Sequence, residues 1–178
     1  KRQGLLRSRR EEIYRRLHAR NWLRTVQAAQ LLNLPIFCVH NPADHLAAQY
    51  VRKRFCNQEF EDLNAIVKQL REIPECEHYA KKGNSPIVAC GSGKSRPGRV
   101  EVFGFNGGTN GPSEFIREMS AAGVGTFICM HINESDRKMA QKHHVNVVQC
   151  SHMAADTLGM NLVLDQLQKK AKGLQVVE

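Results

Sequence analysis

Apolar residues recur along this chain in two periods, and the change from one period to the other marks its elements. Between residues 43 and 55, Leu46, Tyr50, Val51 and Phe55 fall on one helical face, and between 60 and 73, Leu63, Ile66, Val67 and Leu70 do the same. Continuous apolar runs of strand length occupy Pro35–Val39, Ser85–Cys90, Val100–Phe105, Gly125–Met130 and Asn146–Cys150. Helical spacing returns over Ser113–Ala122, Glu134–His144 and about Met153–Lys172. Pro74 reads as the start of a loop, and Ser113 as a helix cap with a carboxylate beside it at Glu114. From Gly125 onward the order strand, helix, strand, helix predicts an α/β fold, with functional groups gathered at the carboxyl ends of parallel strands.

Residues 1–32 carry Leu5, Leu6, Ile13, Leu17, Val26, Ala29 and Leu32 at roughly helical spacing, with arginines between them. One or two amphipathic helices are expected, interrupted near Asn21. The charge of the chain sits here. Residues 1–24 hold nine basic and two acidic side chains, a net of +7 out of +9 for the whole chain. Residues 1–24 therefore read as a basic arm, and 25–178 as a single, nearly neutral α/β domain, one core being enough for 178 residues. Three readings of the arm stand side by side: the tail of an Arg-rich targeting signal, a contact for RNA or an acidic partner, and a solvated helix face. Glu11 and Glu12 speak against the first for the arm as a whole. The absence of an initial methionine at Lys1 suggests an upstream segment removed or not included, and a mitochondrial or cytoplasmic location is expected. No apolar run approaches the length of a membrane span, and the six cysteines show no paired metal spacing.

Candidate chemistry follows the strand ends. His131 and His152 each close an apolar run, and Asp156 follows His152 by four residues, so on a helix both side chains share one face. His40 and Asp44, with His45 beside them, follow the Pro35–Val39 run in the same manner. Imidazoles and carboxylates at three strand ends suit a borderline or hard divalent cation. A strand-end histidine is also commonly a hydrogen-bonded structural group, and both readings stand at this point. Gly91-Ser-Gly-Lys-Ser95 imitates the end of a phosphate-binding loop, but Val88 occupies the position of the required glycine and a strand follows instead of a helix. Asn106-Gly-Gly-Thr-Asn-Gly111 lacks the dinucleotide-binding order and reads as a tight turn.

Taken together, several segments resemble the NGG-interacting factor three-like family, also described as GTP cyclohydrolase type-two-like. They are His40-Asn-Pro-Ala-Asp44, Ile73-Pro-Glu75, Asn106-Gly-Gly-Thr109, Ala122-Gly-Val-Gly-Thr126, Met130-His131, Ser151-His152-Met-Ala-Ala-Asp156 and Leu158-Gly-Met-Asn161. The resemblance implies an α/β fold, ring-like oligomers and a site for two divalent metal ions such as Zn, Mn or Fe. Within it Asp44, His152 and Asp156 match metal ligands, while His40 and His131 match positions lining the pocket, where they would handle protons. The family's His-His pair lies upstream of the first helix, and none precedes His40 here; His143-His144 stands in another segment. The dinuclear site is therefore expected to be incomplete in this chain. A metal-dependent, hydrolase-like protein is one functional reading. The other is a non-catalytic subunit of a larger assembly, such as a mitochondrial ribosome, with the arm on RNA.

Overall fold

A computed structural model describes residues 2–17, 23–36, 38–106 and 111–177. Its centre is β3 (Val124–Cys129), whose residues are buried at all positions but Gly125. Such a run, apolar on both faces, is what an inner parallel strand requires. Beside it lies β4 (Asn146–Gln149), parallel, with β2 (Arg99–Val102), also parallel, on the other side. The strand β1 (Ile87–Cys90) closes the sheet by pairing antiparallel to β4, giving the order β1-β4-β3-β2. Although β1 and β2 are neighbours in sequence, they form opposite edges.

The alternation of side chains divides the core in two. Ile128, Met130, Val148 and Cys150 face one layer, built from α3 (Asn41–Phe55), α4 (Leu63–Leu70), α5 (Pro74–Lys81) and α8 (His152–Lys170). Phe127, Cys129, Val145 and Val147 face the other, which is covered by α6 (Glu114–Ala121) and α7 (Glu134–Lys142). The sheet thus lies between two helical layers, and β3-α7-β4-α8 is the strand–helix repeat expected from the apolar pattern, which β2-α6 extends by one unit upstream. Two further helices precede it, α1 (Arg2–Leu17) and α2 (Arg24–Leu31); the expected break at Asn21 lies outside the described residues.

Three local expectations are corrected. The described residues of Pro35–Val39 form no strand; Ile36 and Cys38 are exposed, and neither sheet edge pairs with the segment. Apolar composition becomes a strand only where a partner supplies the ladder hydrogen bonds. Pro74 opens a helix and not a loop, because a proline in the first turn loses no hydrogen bond, and Glu75 and Glu77 suit the positive end of the helix dipole. Ser113 caps nothing; its Oγ donates instead to Asp136 Oδ1 at 2.6 Å.

The turn at Gly91–Ser95 has a structural use. The first amides of α4, Leu63 N and Asn64 N, donate to Ser95 O and Gly93 O at 3.1 and 2.9 Å. Asp62 completes this cap by accepting from Ala65 N at 2.8 Å.

Candidate metal centre

His131 stands two residues beyond β3, and His152 is the first residue of α8. The β3–β4 pairing continues past the strands through a hydrogen bond from Cys150 N to Cys129 O at 2.9 Å. The two chains therefore leave the sheet side by side. Ser151 then starts α8, its Oγ accepting from Ala154 N at 3.2 Å. In consequence the His131 and His152 rings stack, with centroids 5.0 Å apart and planes 17° from parallel.

Two helices begin at this place in the same way. At the start of α3, His40 Nε2 lies 3.3 Å from Asp44 Oδ2; at the start of α8, His152 Nε2 lies 3.6 Å from Asp156 Oδ2. The two helices cross closely: Gly159 of α8 sits against the backbone of Ala43, the residue before Asp44. That contact requires a glycine, and it fixes how far one His–Asp pair stands from the other.

Both ring nitrogens of His131 are buried, and neither makes a hydrogen bond among the described residues. Burial lowers its pKa from the ordinary value and His152 lowers it further, against the opposing pull of Asp136, Asp156 and Asp44. His131 is thus a neutral imidazole within electrostatic reach of three carboxylates. Asp136 went unnoticed in the sequence. It is buried, held by Ser113 and by Asn133, whose Oδ1 accepts from Asp136 N at 2.7 Å and whose Nδ2 donates to Asp136 Oδ2 at 3.0 Å. The Asn133-x-x-Asp136 capping pattern directly after His131 was the available signal.

The five residues singled out at sequence level, His40, Asp44, His131, His152 and Asp156, are thus placed around one end of the sheet by β3, α3 and α8. Three other histidines, His45, His143 and His144, are not part of it. His45 Nε2 lies 2.8 Å from Gln49 Nε2 on its own helix, and His143-His144 ends α7 before β4, at the opposite end of that strand from His152. Unpaired imidazole nitrogens with nearby carboxylates are donors of the kind a borderline divalent cation takes. As the side chains stand, however, no three His, Cys, Asp or Glu among the described residues converge closely enough to hold a metal ion.

The profile of the Duf34/NIF3 (NGG1p interacting factor 3) family matches residues 24–178. The chain belongs to this family. Residues 1–23 lie outside the match. The fold is similar to the crystal structure of a NIF3 superfamily protein from Sphaerobacter thermophilus, with a TM-score of 0.66 and 22% sequence identity over 86% of this chain. Only 56% of that NIF3 superfamily structure is covered, so the chain spans little more than half its length. Reduced HcgD from Methanocaldococcus jannaschii aligns with a TM-score of 0.39 and 14% identity, over 62% of this chain and 54% of that one. No curated protein matches. Among the described residues no helix is long and apolar enough to cross a membrane.

Proposed function

We propose that this Duf34/NIF3 chain is a divalent-metal-binding, hydrolase-like protein. Asp44, His152 and Asp156 are the ligands for Zn, Mn or Fe, and His40 and His131 exchange protons with the substrate. The observation that carries this reading is His131, with two buried nitrogens that no group among the described residues satisfies. Buried polar groups are nearly always hydrogen-bonded, so such a ring points to a partner from outside the chain. A bound divalent cation supplies a water of lowered pKa and an electrophile for a developing oxyanion. The chain's own part is to keep His131 neutral by burial, leaving one nitrogen to accept a proton, and to hold His40 at the solvent edge beside Asp44. Elemental analysis of the purified chain, His152→Ala and His144→Ala tests the ligand assignment. Metal content should fall in His152→Ala and persist in His144→Ala; equal contents in the two variants refute it.

A second reading, a subunit of a larger assembly whose arm contacts RNA, has support of its own. In α1, Arg7 and Arg9 pair with Glu11 and Glu12 at 3.0 and 2.6 Å. Arg10 and Arg15 are exposed and enter no ion pair among the described residues. An RNA-binding arm predicts weakening with salt, with a log–log slope of about −0.7 per phosphate neutralised on a single strand. Reversing both charges (Arg10→Glu with Arg15→Glu) should reduce that slope, and unchanged binding across a salt series counts against the arm.

A further inference from the structure

The two His–Asp pairs of the cluster are alike in spacing and unlike in exposure. The Asp156 side chain is 53% exposed, that of Asp44 only 6%. Beside Asp44 lies the first helix of the chain. Leu6 of α1 lines, together with Asp44 and His45, a groove of about 550 Å³ between α3 and the segment from Val102 to Asn106. Leu6 also packs at Gly111, where a Cβ would lie 3.5 Å from Leu6 Cδ2. Further along α1, Ser8, Arg9 and Glu12 border a cavity of about 430 Å³ with Ser113, Asn133 and Asp136. The helix therefore lies against the segments that follow β2 and β3, at the end of the sheet that carries the cluster.

Its docking is shallow. Leu6, Arg9 and Ile13, spaced three and four apart, form a half-buried face, while Arg7, Arg10, Glu11, Tyr14 and Arg15 are exposed. No side chain described in α1 is fully buried, whereas α3 buries Ala47, Val51 and Phe55. Arg9 pairs with Glu12 of its own helix, and its Nε is buried without a hydrogen bond among the described residues. A buried donor left unmatched costs free energy, so the docked position is weakly held. Few buried apolar contacts mark segments that open locally while the core stays folded. Moreover, α1 precedes residues 24–178, the stretch that the family profile matches, so it is an addition to the shared fold.

We propose that α1 is a strap: docked, it shields Asp44, and released, it opens the groove onto that carboxylate while the domain stays folded. The proposal rests on the metal reading only for what is gated, the access of an ion or substrate to Asp44. Carboxylate labelling of the metal-stripped full chain with a carbodiimide and glycine ethyl ester, read by peptide mass spectrometry, is the test, with hydrogen exchange alongside. In the parent, Asp156 should be labelled and Asp44 spared. Leu6→Glu keeps a strong helix former and turns a charge toward the groove of Asp44. Gly111→Glu sets the same charge against Leu6 from the domain side, at a backbone position outside the left-handed region. Each should raise Asp44 labelling relative to Asp156 about tenfold, because a charge on the docked face favours the released position. In both, α1 amides should exchange faster while those of β3 and β4 stay as protected as in the parent. Leu6→Met, apolar and of similar volume, should behave as the parent. Asp44 spared in both glutamate variants, Asp44 labelled as readily as Asp156 in the parent, or protection lost in α1 and β3 together overturns the strap. No labelling step involves a metal, so failure of the metal reading and failure of the strap are separate outcomes.

Discussion

The imidazoles of His131 and His152 lie face to face, 5.0 Å between centroids, where β3 and β4 leave the sheet. Two stacked imidazoles resist a second positive charge, and His131, the more buried ring, titrates below its ordinary value of 6.5. The sign for stability follows from proton counts. Between the lowered folded value and 6.5 the unfolded chain binds more protons at this residue. The contribution of His131 to stability is therefore complete above the unfolded value and is lost as pH falls below it. Urea unfolding at a series of pH values from neutral to mildly acid should show this decline, and His131→Phe should flatten it. An identical pH slope in the variant would contradict the assignment.

The contact between Gly159 and Ala43 gives a mechanical test of the same site. A Cβ at position 159 would run into the Ala43 carbonyl and lie 3.2 Å from its Cα. Backbone cannot swing aside as a side chain can, so α3 and α8 must part. Gly159→Ala should cost about 1–3 kcal/mol, outweighing the roughly 1 kcal/mol that alanine gains over glycine within a helix. Gly4 in α1 has open space around it, and Gly4→Ala should be neutral or stabilising by less than about 1 kcal/mol. Denaturant unfolding of both variants decides, and a Gly159→Ala chain as stable as the parent would remove the close crossing from the explanation.

Ser151 sits between the buried Cys150 and the stacked His152, and it is itself only 2% exposed. Its Oγ accepts from Ala154 N at 3.2 Å, the side-chain cap at the start of α8. Ser151→Ala keeps the packing and deletes the acceptor, at a cost of about 1 kcal/mol. Because His152 is the first residue after the cap, fraying here should also disturb the ring stack. The imidazole proton resonances of His131 and His152 should both shift in Ser151→Ala while those of His144 stay in place. Unmoved resonances would show that the cap does not position His152.

The parts of this structure legible in the sequence are those fixed by local periodicity. The run from Val124 to Cys129 is buried on both faces and could hardly be an exposed strand, and the His152–Asp156 spacing by itself implies a shared helix face. What remained hidden depends on register and contact between distant segments. The His131–His152 stack follows from Cys129 pairing with Gln149, which no pattern in either strand states. Pro35–Val39 has strand composition, but its described residues find no partner edge, so composition misled. Nothing in the sequence sets Arg52 apart from the other cations of α3, and Asn106 reads as part of a tight turn. Only the approach of the segment after β2 to α3 makes them two walls of one groove.

The cysteines supply a last prediction, on the alkaline side. Burial pushes the Cys76 and Cys129 thiols up to about 12, Cys150 is raised well beyond the ordinary value of 9.0, and Cys38 is exposed. Thiolate is the reactive form, so reactivity should follow exposure and ease of ionisation. An aromatic disulfide reagent at mildly alkaline pH should label Cys38 first and reach Cys129 and Cys150 only in denaturant, as read by peptide mass spectrometry. The same shifts set a stability limit. Above the ordinary thiol value the unfolded chain releases protons that the folded chain retains, so stability is complete below about 8.5 and falls as pH rises toward 12. Cys150→Ala should start from lower stability, because it leaves a small cavity, yet lose less of it between neutral and strongly alkaline pH. Rapid labelling of Cys129 in the native chain, or a parallel decline in parent and variant, would mean that these thiols are not sealed in the core as described.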